Sequence, residues 1–133
     1  IYVSTSLLEP ADVEEELADL VAQARSRNQR RSLSGCLLFS GGTFAQLLEG
    51  SEEDVRDVMK SICADRRHEG VRVIEETSAA ERCFSSWGLG FGGPSLYVTK
   101  AIRAAVRDAD NGRREGIENL RRLMIEFTID RPR

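Results

Sequence analysis

Apolar residues recur with two different periods along this chain, and the switches between them outline a mixed fold. Residues 1–5 read as a short strand. From Glu9-Pro10 the period lengthens. Val13, Leu17, Leu20, Val21 and Ala24 fall three or four apart, as on one buried helical face. Asp12 followed by Glu15 resembles a capping box for this helix, and Pro10 suits its opening turn. Residues 33–40 and 43–49 are two apolar runs joined by Gly41-Gly42. That is a hairpin signal, because tight two-residue turns need positive φ and glycine reaches it without a side-chain clash. In the first run Leu37 and Phe39 share one face, Cys36 and Leu38 the other, so both faces of the sheet should be covered. Ser51 and Asp54 form a capping box for a second helix striped by Val55, Val58, Met59 and Ile62. Strands are expected over 71–76 and 86–91, closed by Gly92-Gly93-Pro94. Two amphipathic helices follow, near 96–109 and 114–127, parted by Asn111-Gly112.

The order βαββαββ predicts an α+β, ferredoxin-like sheet with its two helices on one face, followed by two C-terminal helices. Residues 1–93 are expected to form the core domain. Residues 94–133 are expected to form a helical extension, packed on that domain or at an oligomer interface. Ile102, Val106, Leu120 and Met124 are apolar and need cover, which is the reason for expecting a homo-oligomer; the same residues could equally cover their own sheet. There is no internal repeat or low-complexity tract.

With 133 residues the chain fits one domain. The hydrophobic share of 41%, the charged share of 31% and the net charge of −3 are ordinary for a globular protein and give nucleic acid no basic surface. The cluster Arg25, Arg27, Arg30 and Arg31 reads as a solvated helix end. No apolar stretch approaches the roughly 20 residues of a membrane helix. With no secretory signal in view, a cytoplasmic location is expected, although a start inside a strand suggests that the native N-terminus has been trimmed. Cys36, Cys63 and Cys83 are odd in number and lack a CxxC pair, which argues against a disulfide framework and against a metal site. Cys36 and Cys63 read as small core residues. The one histidine, His68, lies in a charged stretch, so no nucleophilic pair stands out.

One position resists a purely structural reading. Within residues 43–49, the period of two puts Gln46 on the same face as Phe44 and Leu48. A buried amide left unpaired costs about 1–3 kcal/mol, so Gln46 needs a partner. That partner is either a neighbouring strand or loop, or a bound polar ligand.

A wider pattern bears on that choice. Tyr2-Val3-Ser4, Asn28, Ser34-Gly35-Cys36-Leu37-Leu38-Phe39 and the run from Gly42 to Gly50 ending in Gln46-Leu47-Leu48-Glu49-Gly50 resemble the BLUF (blue light using flavin) domain family. So do Asp65-Arg66-Arg67-His68 and the segment from Ala80 to Trp87. The resemblance spans residues 1–91. It implies FAD or FMN held between two helices on one face of the sheet. It places the family's tyrosine at Tyr2, its switching glutamine at Gln46 and its ring-binding asparagine at Asn28, whose amide carries both a donor and an acceptor. Leu20 falls where an apolar side chain packs on the ring. Asp65, Arg67 and His68 match a block near the ring or the flavin tail. The cation common four residues before that aspartate is replaced by Ser61, with Lys60 beside it as a substitute. Trp87 and Leu89 occupy the signal-relay positions of the last strand, Leu89 where a methionine is usual.

The resemblance further implies a cycle with no net reaction. Excitation moves an electron and a proton from Tyr2 to the flavin, the pair recombines, and Gln46 keeps an altered hydrogen-bond arrangement that shifts absorption slightly to the red. The output is then a population shift in the last strand and the C-terminal helices. Since the sequence to Arg133 contains no effector segment, the signal is expected to pass to an unidentified protein by contact. Alternatives are a ligand-free interaction module of the same fold and, with less support, a flavin-dependent redox enzyme. A visible spectrum separates the first from a photoreceptor, and steady NADH turnover identifies the second.

Overall fold

The computed structural model describes residues 1–84 and 88–128. Its elements run β1 (Tyr2–Ser6), α1 (Val13–Arg30), β2 (Ser34–Ser40), β3 (Thr43–Glu49), α2 (Glu52–Ala64), β4 (His68–Val73), β5 (Gly90–Gly92), α3 (Leu96–Asp110) and α4 (Glu115–Thr128). The sheet order is β4-β1-β3-β2-β5. Neighbours among the first four strands are antiparallel, and β5 lies parallel to β2. This is the expected α+β plan. The β2–β3 turn uses Gly41 and Gly42 at φ 61° and 74°, the left-handed pair that a tight hairpin requires.

Parity sorts the side chains between two layers. Leu37, Phe39 and Phe44 face α1, packing on Val21 and Ala24. Tyr2 and Leu33 pack on Val58 and Ile62 of α2. From the opposite face Val3, Cys36, Leu38, Ala45 and Leu47 meet Val98, Ile102 and Ala105 of α3, and Ile117, Leu120, Leu123 and Met124 of α4. β2 is therefore buried along its whole length. The C-terminal stripes are covered inside the chain itself, with Leu120 and Met124 fully buried and Val106 packed against the same cluster. The apolar surface that suggested a homo-oligomer is thus internal.

Two polar groups join these helices to the sheet. Glu75, just beyond β4, sits between Arg114, just before α4, and Arg121 of α4, with only 7% of its side chain exposed. Ser40, at the end of β2, hydrogen-bonds Thr99 Oγ1 and the Ser95 backbone at the start of α3. Packing is closest where side chains are missing. A Cβ on Gly92 would lie 2.6 Å from Leu38 and 2.9 Å from the Phe127 ring, so α4 rests directly on β5.

Several local expectations are corrected. Asp12 is the N-cap of α1 but makes no side-chain cap bond; the acidic first turn of Glu14, Glu15 and Glu16 complements the helix dipole instead. Ser51 does cap α2, accepting from Asp54 N–H. The strand expected at 71–76 is β4, which begins earlier at His68. The register slips opposite Val3 and Thr5, where Gly70 at φ 63° allows a bulge. β4 is a largely exposed edge strand, so hydrophobicity does not mark it. Of the strand expected at 86–91, Ser86 and Trp87 lie outside the described residues, and the described part is Gly90–Gly92. Cys63 is exposed, not core, because it follows the buried Ile62 by one residue and points off the stripe. Cys36 is buried, and desolvation pushes its thiol up to about 12. No described helix is long and apolar enough to cross a membrane, and no described cluster of side chains could hold a metal.

If α4 is core and not an appendage, Met124→Ala should cost about 2–5 kcal/mol, the usual range for a buried large-to-small change. Urea denaturation followed by circular dichroism measures it. A loss below half a kilocalorie would show that α4 is dispensable to the fold.

Candidate functional site

The antiparallel register places Tyr2 directly opposite Gln46 on the face covered by α1 and α2. Both are buried. The Tyr2 hydroxyl donates to Gln46 Oε1 at 2.5 Å, a short bond between a phenol and an amide. The other end of the amide, Gln46 Nε2, is buried with no hydrogen-bond partner. Gln46 therefore has a partner on the neighbouring strand and a second polar end left over.

Tyr2 and Gln46 both line a cavity of about 310 Å³ between α1, α2 and the sheet. Its apolar walls include Leu20, Ala24, Leu37, Phe44 and Ile62, and Tyr2 and Gln46 form its sheet side. Small-molecule sites of this kind combine apolar walls with a few polar groups. A planar heterocycle with an acceptor edge fits both features, since it can lie against the apolar walls and accept from the orphaned Nε2. Burial raises the Tyr2 phenol well above its ordinary 10, an effect that nearby Arg27 partly offsets.

Asp65 and Arg67, which also line the cavity, hold each other. Arg67 Nε donates to Asp65 Oδ1 at 2.9 Å, Arg67 Nη2 to Oδ2 at 2.6 Å, and the Arg67 backbone N–H adds a third bond. The hydrogen bond to Arg67 holds the Asp65 carboxyl below its ordinary value. His68 also lines the cavity, but both ring nitrogens are engaged within the protein. Nε2 lies 2.5 Å from the Ile62 carbonyl, which can only accept, so Nε2 carries the proton. Nδ1 meets Ser4 Oγ at 2.7 Å. The ring stands edge-on to Tyr2 and Phe44.

Two expected site residues lie elsewhere. Lys60 is exposed and does not line the cavity, because it projects from the outer side of α2 while Ser61 lines the cavity. Asn28 is fully buried behind the cavity wall. Its Nδ2 donates to the Gly88 carbonyl, and its Oδ1 accepts from Nε and Nη2 of Arg27. Leu89 is buried among the residues facing α1, and its carbonyl accepts from Arg25. Trp87 lies outside the described residues. Conversely, Gln23, Arg27 and Arg30 line the cavity, although the arginine cluster reads from sequence as a solvated helix end. Their i, i+4, i+7 spacing, beside the apolar Leu20 and Ala24, is the signal that could have found them.

Glu49, three residues beyond Gln46, is the other unforeseen participant. Its carboxylate accepts from the Ser34 hydroxyl and from the backbone N–H groups of Cys83 and Phe84. Arg82 adds bonds to Ser34 Oγ and to the Ser32 and Glu49 carbonyls. Residues 82–84 are thereby pinned to the β2–β3 hairpin. Burial and the Glu49 charge raise the Cys83 thiol.

The raised Tyr2 phenol gives a pH prediction. A raised acid favours the protonated form in the folded state, so stability falls as pH rises beyond the ordinary 10. In Tyr97→Phe, Tyr2 is the only tyrosine left. At pH 10 that variant should show no tyrosinate absorbance near 295 nm until it is unfolded. Half-ionisation at pH 10 in the folded state would contradict the geometry.

The family model described as "Sensors of blue-light using FAD" matches residues 1–90. The blue light- and temperature-regulated antirepressor BluF of Escherichia coli (strain K12) is 33% identical over 93 residues, covering 70% of this chain and 23% of that protein. The Klebsiella pneumoniae protein BlrP1, solved with FMN and cyclic diGMP, superposes at a TM-score of 0.62 with 33% identity, over 69% of this chain and 24% of that one. The photo-activated state of BlsA superposes at 0.78 with 20% identity, over 99% of this chain and 94% of that one, a likeness of fold. The chain spans less than a quarter of the length of the curated relatives it matches. With the family model covering most of its length, the chain belongs to the BLUF family of flavin-using blue-light sensors.

Proposed function

We propose that this chain is a blue-light receptor that binds FAD or FMN between α1 and α2 and signals through Gln46. The observation that carries the reading is the buried Tyr2–Gln46 bond with the opposite amide end unpaired beside the cavity. When bound, the flavin supplies absorption of blue light and the capacity to accept an electron when excited. Leu20, Ala24, Leu37 and Phe44 give it a dry, apolar seat. Tyr2 keeps its proton in the dark because burial disfavours the phenolate. Its short bond to Gln46 Oε1 gives that proton an exit when the phenol is oxidised, and returns it afterwards. Gln46 has two ends, and exchanging which end faces Tyr2 converts the same side chain from acceptor to donor on that side. Reversal of the amide, by rotation or tautomerisation, is the proposed memory of the light event. Asn28 is engaged with Gly88 and Arg27, so we assign it to positioning Arg27 and the β5 approach and not to the ring edge.

Residues 1–93 are proposed as the sensing part and 94–133 as the output part. Leu89 is the proposed relay, since it packs with Leu37 and Phe44 of the cavity wall and directly precedes β5. The receptor is proposed to be non-enzymatic and cytoplasmic, passing its state by contact to a protein partner. The antirepressor and cyclase functions of relatives belong to those longer proteins.

Purified protein should be yellow and show a small, reversible red shift under blue light. Gln46→Leu should keep the flavin and lose the shift, because no amide remains to reverse. Tyr2→Phe should also keep it and lose the normal cycle. A light-minus-dark difference spectrum reads all three, and a parental photocycle in Gln46→Leu would overturn the mechanism.

Leu89 lacks the sulfur acceptor of a methionine but packs with similar volume. Leu89→Met should leave the primary shift in place and enlarge light-induced hydrogen exchange over residues 96–127. Identical exchange and recovery in both proteins would remove Leu89 from the relay.

A further inference from the structure

The charge on the cavity wall is unbalanced. Its one carboxylate, Asp65, is taken up by Arg67, with both oxygens bonded. Arg27 and Arg30 line the same cavity from α1, and neither forms an ion pair among the described residues. Arg30 Nη1 donates to Ser26, a neutral group. Arg27 is half-buried and spends Nε and Nη2 on Asn28 Oδ1, also neutral, so Asn28 fixes the direction of its guanidinium. Taking the Arg27 guanidinium partly out of water with no counter-charge is costly unless an anion arrives.

Their placement follows from how the helices cross. Arg31, at the C-cap of α1, pairs with Asp54 and Asp57 in the first half of α2. The α1 turn before it, carrying Arg27 and Arg30, lies along the same cavity as Ser61, one turn further along α2. Ser61 offers a hydroxyl and no charge, and Lys60 is turned to solvent. The cationic end of the cavity is thus built on α1.

We propose that Arg27 and Arg30 form a phosphate site at this end, so that the chain holds FMN or FAD in preference to riboflavin. This rests on the flavin reading above and deepens it. The ligand class is a phosphorylated flavin, whose phosphate monoester or pyrophosphate meets a pair of guanidiniums suited to bidentate contact. Because Arg30 is exposed, the preference is screened by salt.

The test is exchange at equilibrium. Protein carrying its flavin is incubated with equal, excess riboflavin and FMN, freed of unbound flavin by gel filtration, and its bound flavin is identified by chromatography. Wild type should retain FMN over riboflavin by on the order of tenfold at low salt, and by less at high salt. Arg27→Gln with Arg30→Gln together should bring the ratio to near one, with circular dichroism showing that the fold is retained. Lys60→Gln should keep the wild-type ratio. An equal ratio in wild type, or a preference that survives in the double variant, overturns the phosphate site alone. Wild-type protein that retains none of the flavins, FAD included, overturns both this site and the flavin reading.

Discussion

A β-strand offers its side chains to alternate faces, so its pairing register is a yes-or-no condition. Here the register sets Tyr2 against Gln46. A slip of one residue would send Gln46 into the layer beneath α3 and α4 and bring Ala45 or Leu47 under α1. The hydrophobic set forbids that slip. Ala45 and Leu47 are already packed with Cys36 and Leu38 on the second face, and Phe44 with Phe39 on the first. The polar pair is therefore held by the apolar residues on either side of it. Covering both faces of β2 and β3 fixes a phenol and an amide at hydrogen-bond distance without any dedicated scaffold.

The same strand reaches the β5 side of the sheet by a second, polar route. Glu49 ends β3 and holds residues 82–84 through two backbone N–H groups. That segment leads to Leu89 and β5, and β5 lies under α4. Gln46 and Glu49 are thus two points on one short rod, one at the cavity and one at the approach to β5. Ser34, opposite Glu49 in the hairpin, bonds its carboxylate and accepts from Arg82. Neighbouring polar groups on the hairpin end are all engaged, so motion of β3 has little slack before it reaches the β5 segment.

Much of this was legible in the sequence because it depends on period and turn chemistry. The hairpin, both early helices, the two-faced sheet and the isolated amide all follow from alternation, glycine pairs and helical stripes. The resemblance to the BLUF family added Tyr2 and the cavity block. What escaped has physical causes. β4 is an exposed edge strand that pairs through a bulge, so hydrophobicity does not announce it. Arginines on α1 look like a solvated end unless the position of α2 is known. Lys60 and Ser61 differ by one residue, which turns one out and the other in. Glu49 looks like an ordinary strand terminus until the chain returns to it more than thirty residues later.

Gly116 gives the C-terminal helices a particular mechanical character. A Cβ there would stand 2.7 Å from the Ala104 carbonyl oxygen, and its amide N–H already donates to the Asp108 carboxylate. At this point backbone meets backbone. Held this closely, α3 and α4 resist sliding past one another, so a displacement of either carries the other with it.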